Sequence, residues 1–396
     1  MDKVASRKDV SWPFWPIVPI YPYGQRKTIR REIVKDAVWT FEQIQGIFYV
    51  VVPIRMSVIK LEQGGLLVYA PVAPTIECLR LVQELVEEHG EIKYIILPTI
   101  SGIEHKVFVG PFAQKFPTAE VFVAPQQWSF PLNLPLSWLG LPGKRTQVLP
   151  QDSNQTPFAD QLEIAILDTI DLRLGQFSEV ALFDKRSRTL LVTDSLVSIP
   201  QSPPAIVELD SYPLLFHARE NALEPIVDSP ENRLKGWQRI CLFAMYFQPT
   251  VLAVPQWSQV FRNAFSAPDK SSKAYFGLYP FQWQNDWQNC FHALCRDGRL
   301  LVAPILQSLI MNRDRKGTLN WIDHLATWDF QQIIPCHFDA PIIANSRQLR
   351  QSFAFLESAW NFGNHDCLPA EDFKTIQQID YYLSRLKIIP RSQVGN

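Results

Sequence analysis

The sequence predicts an α/β fold in which an antiparallel meander passes into strand-helix-strand alternation. Two observations carry this expectation. Apolar runs of strand length recur at 47–52, 56–61, 66–69, 94–97, 121–124, 162–167, 179–183, 189–192 and 332–335. A single helical stripe interrupts them over 75–88. The chain has 396 residues, 47% hydrophobic and 19% charged, which suffices for one large core or two ordinary ones and is far too apolar for disorder.

In chain order, the first three strands form the meander, and Gly64-Gly65 supplies the turn between the second and third. Cys78, Leu79, Val82, Leu85 and Val86 then share one helical face, with Thr75 placed to cap its start and Gly90 its end. A buried strand Tyr94 to Leu97, a loop Pro98 to Glu104, a short helix from His105 and a strand Val121 to Ala124 continue the alternation. Residues 125–150 hold five prolines and two tryptophans and are expected to form an irregular loop. Strands resume at Leu162 to Leu167, Glu179 to Phe183 and Thr189 to Val192, with Asp184 to Arg188 as the hairpin turn of the last two. A helix-rich insertion over 205–330, the strand Gln332 to Pro335, and C-terminal helices with a polar tail over 346–396 complete the reading.

Before all of this lies a Pro/Trp-rich N-terminal arm with a basic segment, 1–37, ahead of the main domain at 38–345. From Trp12 to Gly24, Pro13, Pro16, Pro19 and Pro22 recur every three residues, the polyproline II period, and leave two apolar edges. Such an arm either clamps onto its own domain or docks on a partner protein or membrane surface, helped by Arg26, Lys27, Arg30 and Arg31.

Thirty-eight basic against thirty-nine acidic residues give a net charge of −1, so no global field draws the chain to nucleic acid. The longest apolar stretches, near Cys241 to Pro255 and Trp12 to Gly24, are too short and too broken to span a bilayer. The N-terminus MDKVASRKDV has neither the apolar run of a secretory signal nor the acid-poor character of a transit peptide. Six irregularly spaced cysteines read as thiols, so a cytoplasmic location is expected.

Three ligand-type side chains sit at strand ends, where loops converge. His105 follows Glu104 after the strand Tyr94 to Leu97, Asp194 follows Leu190 to Val192, and His337 follows Gln332 to Pro335. The order of strand, helix, strand-Thr99-Ile-Ser-Gly-Ile-Glu104-His105, hairpin-Thr193-Asp194 and late strand-Pro335-Cys-His337 resembles the metallo-β-lactamase superfamily. Together with SWPFWPIVPIYPYG and the Trp-rich loop, it looks like the domain-of-unknown-function branch found in photosynthetic bacteria and plastids.

The resemblance implies a four-layer αββα sandwich, which would bury both sheets and suits the near-continuous apolar strands. It also implies two adjacent metal sites. The first site's histidine positions fall on Ile100, Gly102 and Gly175, whose side chains offer a metal no lone pair. The second site's positions fall on Glu104, His105, Asp194 and His337, all able to ligate one Zn, Fe or Mn ion. The same four could equally form a buried, metal-free polar cluster.

Two function classes follow. The chain is either a non-catalytic or regulatory binding scaffold, or a single-metal hydrolase of an ester, thioester or phosphoester. Other candidates are weaker. Cys290 and Cys295 would lie about 140° apart on a helix, which argues against a metal site with His292. Cys336 would be a reactive thiol only beside a cation, and His217 reads as structural.

Overall fold

The computed structural model describes residues 6–12, 20–100, 104–127, 135–173, 175–253, 255–357 and 368–392. Pro13 to Pro19 of the arm, Gly102, and Trp128 with most of the early Trp-rich loop lie outside them.

A seven-stranded sheet runs in chain order through β1 (Ile29–Val34), β2 (Val38–Ile47), β3 (Val50–Lys60), β4 (Leu66–Tyr69), β5 (Ile92–Leu97), β6 (Glu120–Val123) and β7 (Thr146–Val148). It is antiparallel up to β4 and parallel beyond. The helices α1 (Ile76–His89) and α2 (Lys106–Lys115) are the crossovers that join β4 to β5 and β5 to β6 in its parallel half. Thr75 caps α1 by accepting from the Cys78 N–H, and Gly90 ends it at φ 95°. A second sheet is ordered β16-β15-β12-β11-β8, built from β8 (Leu162–Ile166), β11 (Val180–Asp184), β12 (Thr189–Val192), β15 (Gln332–Pro335) and β16 (Ile342–Ile343). Two small ribbons, β9 (Ile170–Asp171) with β10 (Gln176–Phe177) and β13 (Leu252–Ala253) with β14 (Gln282–Trp283), stand apart.

The period-two alternation of the strands separates three cores. Leu66, Val68, Ile95, Leu97, Val121 and Val123 face α1 and α2 on one side of the first sheet. Their alternates Leu67, Tyr69, Ile96 and Phe122 meet Ile164, Leu182, Leu191 and Ile334 of the second sheet. Beyond that sheet, Ala181, Phe183, Leu190 and Ile333 pack on Trp321, Ile322 and Leu325 of α9 (Arg315–Leu325) and on Leu349 of α10 (Ser346–Ser352). The result is a four-layer αββα sandwich, the architecture that the resemblance implies.

A fourth core belongs to the insertion. It gathers α3 (Ala205–Glu208), α4 (Tyr212–Ala218), α5 (Pro230–Tyr246), α7 (Trp287–Cys295) and α8 (Pro304–Leu309), with α11 (Lys374–Arg385) of the C-terminal segment against them. It rests on the far end of the β2–β3 hairpin through Ile44, Tyr49 and Val51. The helix α6 (Trp257–Ser266) lies at its rim.

Two expectations need correction. The strand read over 47–52 is two strands, with a turn at Phe48 and Tyr49 whose φ values are 51° and 60°. Aromatic residues replace the usual Asn-Gly of such a turn because Tyr49 is buried and its hydroxyl donates to the Lys273 carbonyl at 2.8 Å. The basic segment before residue 38 is also a strand, β1, so the first sheet begins at Ile29. The described ends of the arm lie on the domain: Val10 is buried, Trp12 meets Phe108 edge-on at 5.4 Å, and Tyr21 meets Tyr49 at 5.1 Å.

Candidate functional site

The strands β12 and β15 are parallel, with Val192 opposite Pro335, so the chain leaves both at the same edge of the second sheet. This brings Asp194 and His337 together: His337 Nε2 lies 3.0 Å from Asp194 Oδ1. From the first sheet, β5 leads to the same end. The Val180 N–H donates to Pro98 O at 2.7 Å, Thr99 bridges Glu179, and His105 follows as the N-cap residue of α2.

Both imidazoles are held the same way. Nδ1 of His105 lies 3.0 Å from Pro71 O, and Nδ1 of His337 lies 3.0 Å from Pro53 O. A carbonyl only accepts, so each Nδ1 carries a proton and each Nε2 turns toward the crevice. The two rings then differ. Burial, the largest influence on His105, holds its pKa below the usual histidine value, and nearby His337 adds to this. His105 is therefore neutral, and its buried Nε2 has no hydrogen-bond partner. For His337 burial again acts downward, but the hydrogen bond to Asp194 and the charges of Asp194 and Glu104 outweigh it and raise the pKa. Asp194 responds in kind: burial would raise its pKa, yet the bond and charge of His337, with His105, hold it below the ordinary carboxyl value. Below the raised pKa of His337 the pair is an imidazolium and a carboxylate, with both ring nitrogens of His337 donating.

Two residues that the sequence reading passed over position these groups. Glu179 is fully buried and accepts from the N–H groups of Thr193, Asp194 and Ser195 at 2.7, 3.0 and 2.9 Å, with the Ser195 hydroxyl at 2.8 Å. Its carboxylate fixes the turn that carries Asp194. Arg55, 1% exposed, donates from Nε to Glu42 at 3.0 Å, from Nη2 to Phe338 O at 2.7 Å and from Nη1 to Pro335 O, clamping the loop that carries His337. Arg26 lies within the field of Glu104 and is buried against Phe108, with its ring face 4.9 Å away. The signal for Arg55 and Glu179 was present in the sequence: each is a lone charge in or beside an apolar strand, where only a paired charge can be buried.

Among the described residues, no three of Glu104, His105, Asp194 and His337 have ligating atoms all within 4.8 Å of one another; the group that does is Asp36, Glu88 and His89. There both carboxylate oxygens of Asp36 already accept from Lys60, and the His89 ring stacks on Trp39. Glu88 and His89 are the last two residues of α1. Donors held at about 2.0–2.2 Å from one ion lie within about 4.4 Å of one another. The donor chemistry of His105, Asp194 and His337 fits a single cation, whereas their present spacing does not close around one.

The places of the first site are apolar where described. Ile100 is fully buried between the sheets, and Gly175 lies in the turn of the β9–β10 ribbon, its carbonyl accepting from the Leu172 N–H. Burial and the neighbouring Asp194 push the Cys336 thiol well above its usual pKa, so it is no ready thiolate. Cys290 and Cys295 point apart, toward Asp372 and the Ile199 carbonyl. His217 is buried and held by Phe48 O at 3.0 Å, its pKa pushed down to about 3 by burial. Glu104 faces a cavity otherwise walled by the hairpin tip, the insertion and Ile20. No helix among the described residues is long and apolar enough to cross a membrane.

A family model described as a domain of unknown function, DUF4336, matches residues 35–355. No curated protein is significantly similar in sequence. Solved structures align at low identity. A metallo-β-lactamase from Pontibacter korlensis shares 10% identity over 84% of this chain and 100% of its own, with a TM-score of 0.38. A metal-soaked Flv1 flavodiiron core from Synechocystis sp. PCC6803 shares 11% over 85% of this chain and 62% of its own, with a TM-score of 0.41. A putative diflavin flavoprotein fragment from Nostoc sp. PCC 7120 shares 9% over 90% of this chain and 99% of its own, also at 0.41.

Proposed function

This chain belongs to the DUF4336 family, and we propose that within it the protein is a non-catalytic binding scaffold acting in the cytoplasm. The polar cluster of His105, Asp194 and His337, with Glu104 beside it, holds the site loops in place without a metal. One observation carries this reading: His337 spends Nδ1 on Pro53 O and Nε2 on Asp194, so a proton stands where a cation would have to enter. Metal binding would have to expel that proton and move the three donors closer together.

A second reading has its own support in the unpartnered, buried Nε2 of His105, an acceptor aimed where a ligand could use it. In that reading His105, Asp194 and His337 hold one Zn, Fe or Mn ion, which would supply Lewis-acid activation for hydrolysis of an ester, thioester or phosphoester. His105 and His337 would present Nε2 to it, oriented by the Pro71 and Pro53 carbonyls.

The two separate in the ¹⁵N NMR spectrum of the imidazole nitrogens of untagged protein at pH 6. The scaffold reading expects His337 protonated on both nitrogens, His105 on Nδ1 alone, and neither changed by one equivalent of Zn²⁺. Loss of the His337 Nε2 proton on adding zinc, with a concurrent shift of His105 Nε2, overturns it.

A further inference from the structure

A cavity beside Glu104 is a feature that the site chemistry does not use. Its volume is about 930 Å³, near the upper end of small-molecule sites. Phe216 of α4, Phe243 of α5, Phe281 and Ile305 of α8 make its walls, and water inside would find few partners among them. At its edge, Phe48, Phe247, Trp257 and Phe276 are 52–67% exposed, an apolar collar of a kind that marks a binding surface.

The backbone of that collar is strained. Phe48, Phe247, Tyr275 and Phe276 line the cavity with φ of 51°, 62°, 49° and 58°, a region that bulky residues rarely adopt. Such conformations cost about 1–3 kcal/mol each and cluster where a ligand is clamped. Phe48 and Tyr275, from opposite sides, bring their rings to 5.3 Å.

Charge narrows the class of ligand. Glu104 is the one ionisable acid among the described lining residues, and no lysine, arginine or histidine joins it. An anionic head group would meet a carboxylate and, among the described lining residues, no cation, since the nearby Arg26 is buried and donates to Ile44 O and Gln45 Oε1. A carbonyl, ester or hydroxyl could accept from Gln45 Nε2, and a hydroxyl could donate to Gln248 Oε1, the Gln248 amide nitrogen being spent on Leu252 O.

We propose that this cavity binds an uncharged lipid with a long hydrocarbon chain, the chain against the aromatic walls and the neutral polar end toward Gln45 or Gln248. The inference does not rest on whether His105, Asp194 and His337 hold a proton or a metal.

The full chain is titrated with diphenylhexatriene, an uncharged fluorophore that brightens in apolar surroundings, and the bound probe is then displaced with hexadecanol or with palmitate at pH 8. Saturable binding is expected, with hexadecanol effective at a concentration about tenfold or more below palmitate. Ala244→Trp on α5 and, separately, Ile305→Trp on α8 each put an indole into the cavity, and whichever folds with a cooperative thermal transition should weaken probe binding about tenfold or more. Absence of saturable binding, equal displacement by palmitate, or full binding in a folded tryptophan variant overturns the proposal.

Discussion

Replacing Asp194 with asparagine leaves an acceptor oxygen but removes the negative charge that helps keep both nitrogens of His337 protonated. The folded pKa of His337 lies above 6.5, so its contribution to stability is complete below pH 6.5 and fades as pH rises through the raised value. The folded pKa of Asp194 lies below 3.8, so its contribution is complete above pH 3.8 and fades as pH falls through the lowered value. The pair therefore stabilises most between about pH 4 and pH 6.5. Urea unfolding should show Asp194→Asn less stable than the parent by about 1–3 kcal/mol at pH 6, with a smaller gap at pH 9. A gap that is constant or grows with pH contradicts an imidazolium at 337. At this scale the sequence was informative about residue type and poor about state: strand-end placement singled out His105, Asp194 and His337. Which nitrogen bears a proton depends on the Pro53 and Pro71 carbonyls, contributed by distant parts of the chain.

The loop after β15 depends on Arg55, which reaches it from β3 and pairs with Glu42 of β2. Arg55→Met should cost about 3–5 kcal/mol, because it strands a buried carboxylate as well as two carbonyls. Arg55→Met with Glu42→Leu should recover part of that loss in the same unfolding experiment, since no lone charge is then left in the core. A single substitution costing no more than the double one would mean that Arg31, 3.5 Å from Glu42, or water takes over the carboxylate. Elements with strong periodicity were legible in advance. The α1 stripe with its Thr75 and Gly90 ends and the parallel strands β5 and β6 occur where the pattern puts them. The β2–β3 turn was not, since Phe48-Tyr49 carries no turn signature. Its geometry is imposed from outside, by burial of the Tyr49 ring among Tyr21, Tyr212 and Phe216 and by His217 on the Phe48 carbonyl. Pro53 within β3 is tolerated because β4 pairs with that strand only from Ser57 onward.

The whole molecule is a two-sheet sandwich whose helical insertion has grown a core of its own over one end of a hairpin. The layers follow from apolar strands that alternate between two buried faces, an arrangement that the sequence suggested only through its resemblance to a known superfamily. The cavity could not, because its walls come from the hairpin tip, the insertion and Ile20, and meet only in the folded chain. The central claim, that a proton and no metal ion sits between His337 and Asp194, concerns the protein as purified. Untagged full-length protein expressed with Zn, Mn and Fe supplementation, desalted and analysed by plasma mass spectrometry, tests it most directly. The account predicts less than about a tenth of an equivalent of any of the three metals. About one equivalent in the parent protein, lost when His105 and His337 are both replaced by alanine, would contradict it.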